Sequence, residues 1–202
     1  DGVPKYINTT IENNFKPTPS QLEEAISNKT KAVIFSSPCN PTGTVFTRED
    51  LEGYRDILEK HPEIIIISDE IYEHINFTDR HTSIGSLESM NSRTITMNGF
   101  SKAFAMTGWR LGYIGAPKSI AKSINKMQGQ TTSANCSIAQ RAGLVALKEG
   151  NKCALEMKGE YLKRRNLVYN HLIKIDKLKV NKPKGAFYFF PEINEYLGNH
   201  SK

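Results

Sequence analysis

Two runs of four residues, Ala32–Phe35 (AVIF) and Ile64–Ile67 (IIII), constrain the fold of this chain more than any other feature. Each is apolar at every position instead of at alternate ones, the pattern of a strand covered on both faces in a parallel sheet. Between them lies a helix signal. Thr47 stands at the cap with Asp50 in the first turn, Leu51, Tyr54, Ile57 and Leu58 form one apolar stripe, and His61-Pro62 ends it. Strand, helix, strand in that order predicts a right-handed crossover and an α/β fold with a mostly parallel central sheet. Ligands of such sheets bind beyond the carboxyl ends of the strands. That singles out Ser36–Gly43 after the first run and Ser68–Tyr72 after the second.

Upstream, Pro4–Thr9 reads as a short β-prone piece. Thr18-Pro19-Ser20-Gln21 reads as a capped start for a helix over Gln21–Ile26. Downstream, Arg93–Met97 (RTITM) is a third strand, and Leu111–Gly115 (LGYIG) follows too soon for a helical crossover, so it is predicted antiparallel. Ser119–Met127 and Ser137–Leu147 read as helices. Ala154–Ile175 reads as a longer helix, with Leu155, Tyr161, Leu162, Leu167, Val168 and Leu172 on or near one stripe, suited to connecting two domains. Leu178–Val180 and Ala186–Phe190 (AFYFF) are predicted strands of a second, smaller domain. The division expected is a large domain over residues 1–150 and a connecting helix with the start of a small domain over residues 151–202.

The net charge of +6 is unevenly placed. Residues 1–150 carry 16 basic and 16 acidic side chains, whereas residues 151–202 carry 11 and 5. A basic helical face without interleaved aromatics reads as a solvated surface, so no nucleic-acid partner is expected. Cys39, Cys136 and Cys153 form an odd, widely spaced set that reads as reduced thiols of an intracellular, cytoplasmic protein. The longest purely aliphatic run is Ile64–Ile67, far too short for a bilayer, so no membrane partner is expected. No His, Cys or carboxylate set has metal-ligand spacing, and no G-x-G-x-x-G follows a strand, which argues against a metal and against a dinucleotide.

The chemistry centres on Thr94–Pro117 (TITMNGFSKAFAMTGWRLGYIGAP). Lys102 lies among small residues just after a strand, and Arg110 follows eight positions later. An unprotonated lysine amine attacks carbonyls and a fixed guanidinium holds a phosphate, a pairing suited to a phosphorylated aldehyde such as pyridoxal 5′-phosphate (PLP). Gly99-Phe-Ser-Lys102-Ala-Phe-Ala-Met-Thr-Gly108-Trp-Arg110-Leu-Gly112 resembles the PLP-attachment signature of class I/II aminotransferases. Asn40-Pro41-Thr42-Gly43 and Asp69-Glu-Ile-Tyr72 resemble two further elements of that family, in its order. Gln128–Ser133, Ser137–Gln140 and Gly185–Tyr188 look like its bacterial aspartate/aromatic branch.

The resemblance covers essentially the whole chain. It implies the three-layer fold of fold type I PLP enzymes, with part of a smaller α+β domain. By the same resemblance Lys102 is the Schiff-base lysine and the base that moves the substrate proton. Asp69 pairs with the ring nitrogen, Tyr72 donates to the 3′ oxygen, Ser101 and Arg110 hold the phosphate, and Asn40 contacts the 3′ oxygen and the substrate carboxylate. A cis Asn40–Pro41 peptide is expected. The implied reaction moves an amino group between an α-amino acid, aspartate-like or aromatic, and an α-keto acid in a homodimer. A PLP-dependent carbon–sulfur lyase and the aminotransferase-like sensor domain of a transcription regulator are the alternatives. Asp1 is not a methionine and the family extends beyond both ends, so the chain reads as an internal fragment that alone binds PLP weakly and catalyses little.

Overall fold

The computed structural model describes residues 2–78 and 80–198. Among these, helix α1 (Pro19–Ala25) precedes strand β1 (Ala32–Ser36), helix α2 (Arg48–Leu58) and strand β2 (Ile65–Asp69). Strand β3 (Thr94–Gly99) runs into the short helix α3 (Phe100–Ala103), and β4 (Gly112–Gly115) follows. Helices α4 (Lys118–Thr131), α5 (Ser137–Glu149) and α6 (Asn151–Leu172) complete the series. The sheet order is β1-β2-β3-β4. β1, β2 and β3 are parallel and β4 is antiparallel to β3, as predicted.

Both helix starts on the sheet's covered side are closed reciprocally. Thr18 Oγ1 accepts from Gln21 N at 3.1 Å while Gln21 Oε1 accepts from Thr18 N at 2.9 Å. At α2, Thr47 Oγ1 accepts from Asp50 N at 3.2 Å and Asp50 Oδ2 accepts from Thr47 N at 2.7 Å. Each box satisfies amide donors that a helix cannot pair internally. The stripe Leu51, Tyr54, Ile57 and Leu58 then packs with Leu22, Ile66, Ile84 and Met90 into the main core, with Val33 and Phe35 partly buried against it. Arg93 is buried just ahead of β3, where its guanidinium donates to Leu58 O at 2.7 Å and His61 O at 2.6 Å. Those carbonyls also accept from the amides of His61 and Ile64, so Arg93 reinforces the turn between α2 and β2.

Burial on both faces of the first two strands, expected from their composition, is not what the structure gives. The register aligns Ile34 with Ile67 and Ile67 with Ile95, one apolar row on the face away from the main core. Ile34 in that row is 70% exposed, and Met97 and Ile114 are also exposed. Three further expectations need correction. Pro4–Thr9 forms no strand and pairs with none among the described residues; Lys5 Nζ instead donates to Glu24 O at 3.1 Å. Leu178–Val180 and Ala186–Phe190 form no ladders, only the isolated bridges Lys179↔Glu192 and Asn76↔Gly185. Ala186 has φ 56°, outside the range of a strand. The apolar stripe of α6 is also mostly open, with Leu155 and Leu167 exposed and Ala154 its buried residue.

Candidate functional site

The carboxyl ends of β2 and β3 bring the predicted residues to one end of the sheet. β2 stops at Asp69, whose Oδ1 accepts from Ile71 N at 3.1 Å and so turns the chain. The turn points Tyr72 inward, where it is 3% exposed. β3 stops at Gly99, and α3 immediately carries Ser101 and Lys102. Lys102 Nζ stands 5.6 Å from the centroid of the Tyr72 ring and 5.4 Å from that of Phe187. Among the described residues it has no hydrogen bond or ion pair. An amine held against two aromatic faces and otherwise unpartnered is free to form a covalent link.

The Asn40 turn lies at the end of β1. Its Asn40–Pro41 peptide is cis, as expected, and so is Ser37–Pro38, which sequence reasoning did not anticipate. Gly43 N–H closes the turn on Cys39 O at 2.9 Å, and Asn40 itself is exposed. The segment after α6 clamps the turn. Asn181 Nδ2 donates to Thr42 O at 3.0 Å, and the amides of Lys184 and Gly185 both donate to Gly43 O, at 2.8 and 3.0 Å. A Cβ on Gly185 would meet Pro38 Cβ at 2.5 Å, so the approach requires glycine there.

Arg110 makes no hydrogen bond or ion pair with Lys102, Tyr72 or Asp69 among the described residues. It sits exposed at φ 51°, its Nη1 donating to Thr107 O at 2.9 Å. A left-handed conformation costs a non-glycine residue about 1–2 kcal/mol. The strain is kept in a turn that projects the guanidinium into an open groove of about 750 Å³, shared with Trp109, Gln128, Thr132, Asn135 and Ile138. Lys102 does not line that groove.

Two groups at this end were not recognised from sequence as site members. Tyr188 places its hydroxyl 2.6 Å from that of Tyr72, and Phe187 packs edge-on against the Tyr72 ring with centroids 5.3 Å apart. Burial, followed by the hydrogen bond to Tyr188, pushes the Tyr72 phenol well above its ordinary value, so it keeps its proton. The aromatic run AFYFF was the available signal, read there as a strand. The second group surrounds Glu70, 2% exposed. Its Oε1 accepts from Ser68 Oγ at 2.8 Å and Ser83 Oγ at 2.6 Å, and its Oε2 lies 2.8 Å from His81 Nε2. Glu73 joins Glu70 and His81 within 4.8 Å, a proximity that only the fold creates and that spacing along the chain does not reveal. A hydrogen bond to His74 holds the Glu73 carboxyl below its usual range despite burial.

The residues present suit a phosphorylated aldehyde: an unpartnered amine, a buried protonated phenol beside it, a carboxylate at the adjoining strand end and a guanidinium on the next turn. The model of the family "Aminotransferase class I and II" matches residues 1–200. This chain belongs to that family. Members of the family such as aspartate aminotransferase use PLP. The chain is 43% identical over 202 residues to a bifunctional aspartate and glutamate/aspartate-prephenate aminotransferase of Petunia hybrida, covering 98% of this chain and 42% of that protein. It is 45% identical to an aspartate aminotransferase of Pyrococcus abyssi, covering 96% of this chain and 50% of that one. The solved aromatic aminotransferase of Pyrococcus horikoshii superposes with a TM-score of 0.87 at 46% identity, over 92% of this chain and 50% of that structure. The fold is therefore the α/β architecture of fold type I aminotransferases, present in part. The chain spans about half the length of the curated relatives it matches.

Proposed function

We propose that the whole protein carrying this chain is a PLP-dependent aminotransferase that moves an amino group between an α-amino acid, aspartate-like or aromatic, and an α-keto acid. The observation that carries the reading is the Lys102 amine, set against the rings of Tyr72 and Phe187 with no competing polar partner among the described residues. Bound there, the cofactor supplies an electron sink for the charge left when the substrate Cα proton departs. Lys102 binds the aldehyde and then carries that proton. Asp69 pairs with the ring nitrogen, and Tyr72 donates to the 3′ oxygen. Asn40 shares that oxygen and orients the substrate carboxylate. Ser101 and Arg110 hold the phosphate, Arg110 through a charge-assisted contact. The names of the relatives favour dicarboxylic or aromatic donors.

The same reading gives residues 1–150 to the cofactor-binding domain and residues 151–202 to the connecting helix and the start of a small domain. It makes the protein a cytoplasmic homodimer. Among the described residues no helix is long and apolar enough to cross a membrane. Residues 1–202 alone are expected to bind PLP weakly and turn over little.

The deciding experiment supplies aspartate, phenylalanine or tyrosine with 2-oxoglutarate to the whole PLP-loaded protein. Amino transfer, with a cofactor absorbance band that vanishes in Lys102→Ala, supports the reading. Pyruvate release from cystathionine without a keto acid, or no cofactor band in the wild type, rejects it.

A further inference from the structure

The aromatic run after α6 reaches the site in a fixed pose. Phe77 N–H donates to Lys184 O and Ala186 N–H to Ile75 O, both at 2.8 Å, so residues 184–186 are laced to the loop that follows Tyr72. Ala186 is fully buried, and its left-handed turn swings the next two side chains toward the site. The Tyr188 and Tyr72 rings then meet edge to face, with centroids 5.9 Å apart and planes at 78°, their hydroxyls in hydrogen-bond contact. The charged or titratable groups that face Tyr72 are Tyr188, Asp69, Tyr161 and Lys102.

We propose that Tyr188 is a positioning residue for Tyr72: by donating its own hydroxyl proton to the Tyr72 oxygen, it aims the single Tyr72 proton at the cofactor's 3′ oxygen. The inference rests on the functional reading above and deepens it. A phenol has one proton to give and can accept two. If Tyr72 gave its proton to Tyr188, none would remain for the cofactor. With Tyr188 as donor the two bonds run in one direction and polarise each other, which makes Tyr72 the stronger donor. A hydrogen bond to the 3′ oxygen draws off negative charge that would otherwise hold a proton on the neighbouring Lys102-linked nitrogen. Weakening that bond therefore makes the nitrogen keep its proton to higher pH.

The test is a pH titration of cofactor absorbance in the whole PLP-loaded protein. Tyr188→Phe removes the donor and keeps the ring. Only the cooperative part of that bond, about 10–30% of a neutral hydrogen bond, differs between the two cofactor protonation states, so the titration midpoint is expected to rise by roughly 0.1–0.3 pH unit. Tyr72→Phe is expected to raise the midpoint at least as far. Adding Tyr188→Phe to Tyr72→Phe is expected to move it no further, since Tyr188 acts only through Tyr72. A midpoint unmoved by Tyr188→Phe while the band persists overturns the proposal, even if melting temperature falls, because that is the signature of a packing role alone. Equal, additive shifts in the double variant overturn it as well. A wild type without any cofactor band overturns the functional reading itself, which separates the two failures.

Discussion

A Cβ built on Gly43 would stand 2.4 Å from Cβ of Pro183, closer than any two such carbons approach without something moving. The turn at the end of β1 and the segment after α6 are thus locked by a missing side chain. Gly43 also has φ 67°, so any replacement is strained twice. Gly43→Ala is expected to destabilise the protein by about 2–4 kcal/mol, combining the left-handed penalty with overpacking. Urea unfolding of the whole protein measures this, and a loss below the lower figure would show that Pro183 can retreat freely.

Asp50 couples a helix cap to an ion pair with Lys16. Burial alone would raise its carboxyl. The Lys16 ammonium and the Thr47 amide and hydroxyl outweigh that and hold it below 3.8, its ordinary value. Because the folded value is depressed, the stabilisation is fully present above pH 3.8 and is lost as pH falls through the folded value. The stability gap between wild type and Asp50→Asn is therefore expected to be constant near neutrality and to close in acid below pH 4. Chemical denaturation across that range checks the sign; a gap that widens in acid would refute the account.

What could be read without coordinates was governed by short-range chemistry. Both capping boxes, the parallel β1-β2 pairing and the antiparallel β4 follow from local residue patterns and from loop length. Asn40, Asp69 and Lys102 stood out as candidates because each sits in a motif resembling the class I/II aminotransferase pattern, in a loop after a β-prone run. The failures share one cause, long-range context overriding local preference. AFYFF has the composition of a strand, yet Ala186 turns left-handed and the aromatics pack on Tyr72 and Tyr161. Likewise the pairing of Glu70 with His81 and Ser83 spans 11 and 13 residues of loop and leaves no periodic trace.

Arg110 tests the cofactor assignment separately from the fold. Among the described residues its side chain bonds to the exposed Thr107 carbonyl alone, so truncation leaves the core intact. Arg110→Ala is expected to weaken PLP binding by about 10- to 100-fold, the worth of one charge-assisted contact, and to leave melting of the cofactor-free protein unchanged. Arg110→Lys should fall between, keeping the charge and losing the fork. Fluorescence titration with PLP measures both. Unaltered affinity in Arg110→Ala would remove this residue from the phosphate site.

Glu70 offers the sharpest contrast between two substitutions at one position. Its carboxylate accepts from two hydroxyls and lies 2.8 Å from His81 Nε2. Glu70→Gln would leave one acceptor oxygen where two served three partners, and its N–H₂ would have to meet a serine hydroxyl or His81 Nε2, for a loss of about 1–3 kcal/mol. Glu70→Ala would strip all three donors at once and open a cavity, for about 3–5 kcal/mol. Both variants should retain the pH titration of cofactor absorbance, because Glu70 faces away from Tyr72 into its own serine and histidine partners. Equal losses for the two substitutions would mean that the volume of residue 70, not its oxygens, holds the end of β2 in place.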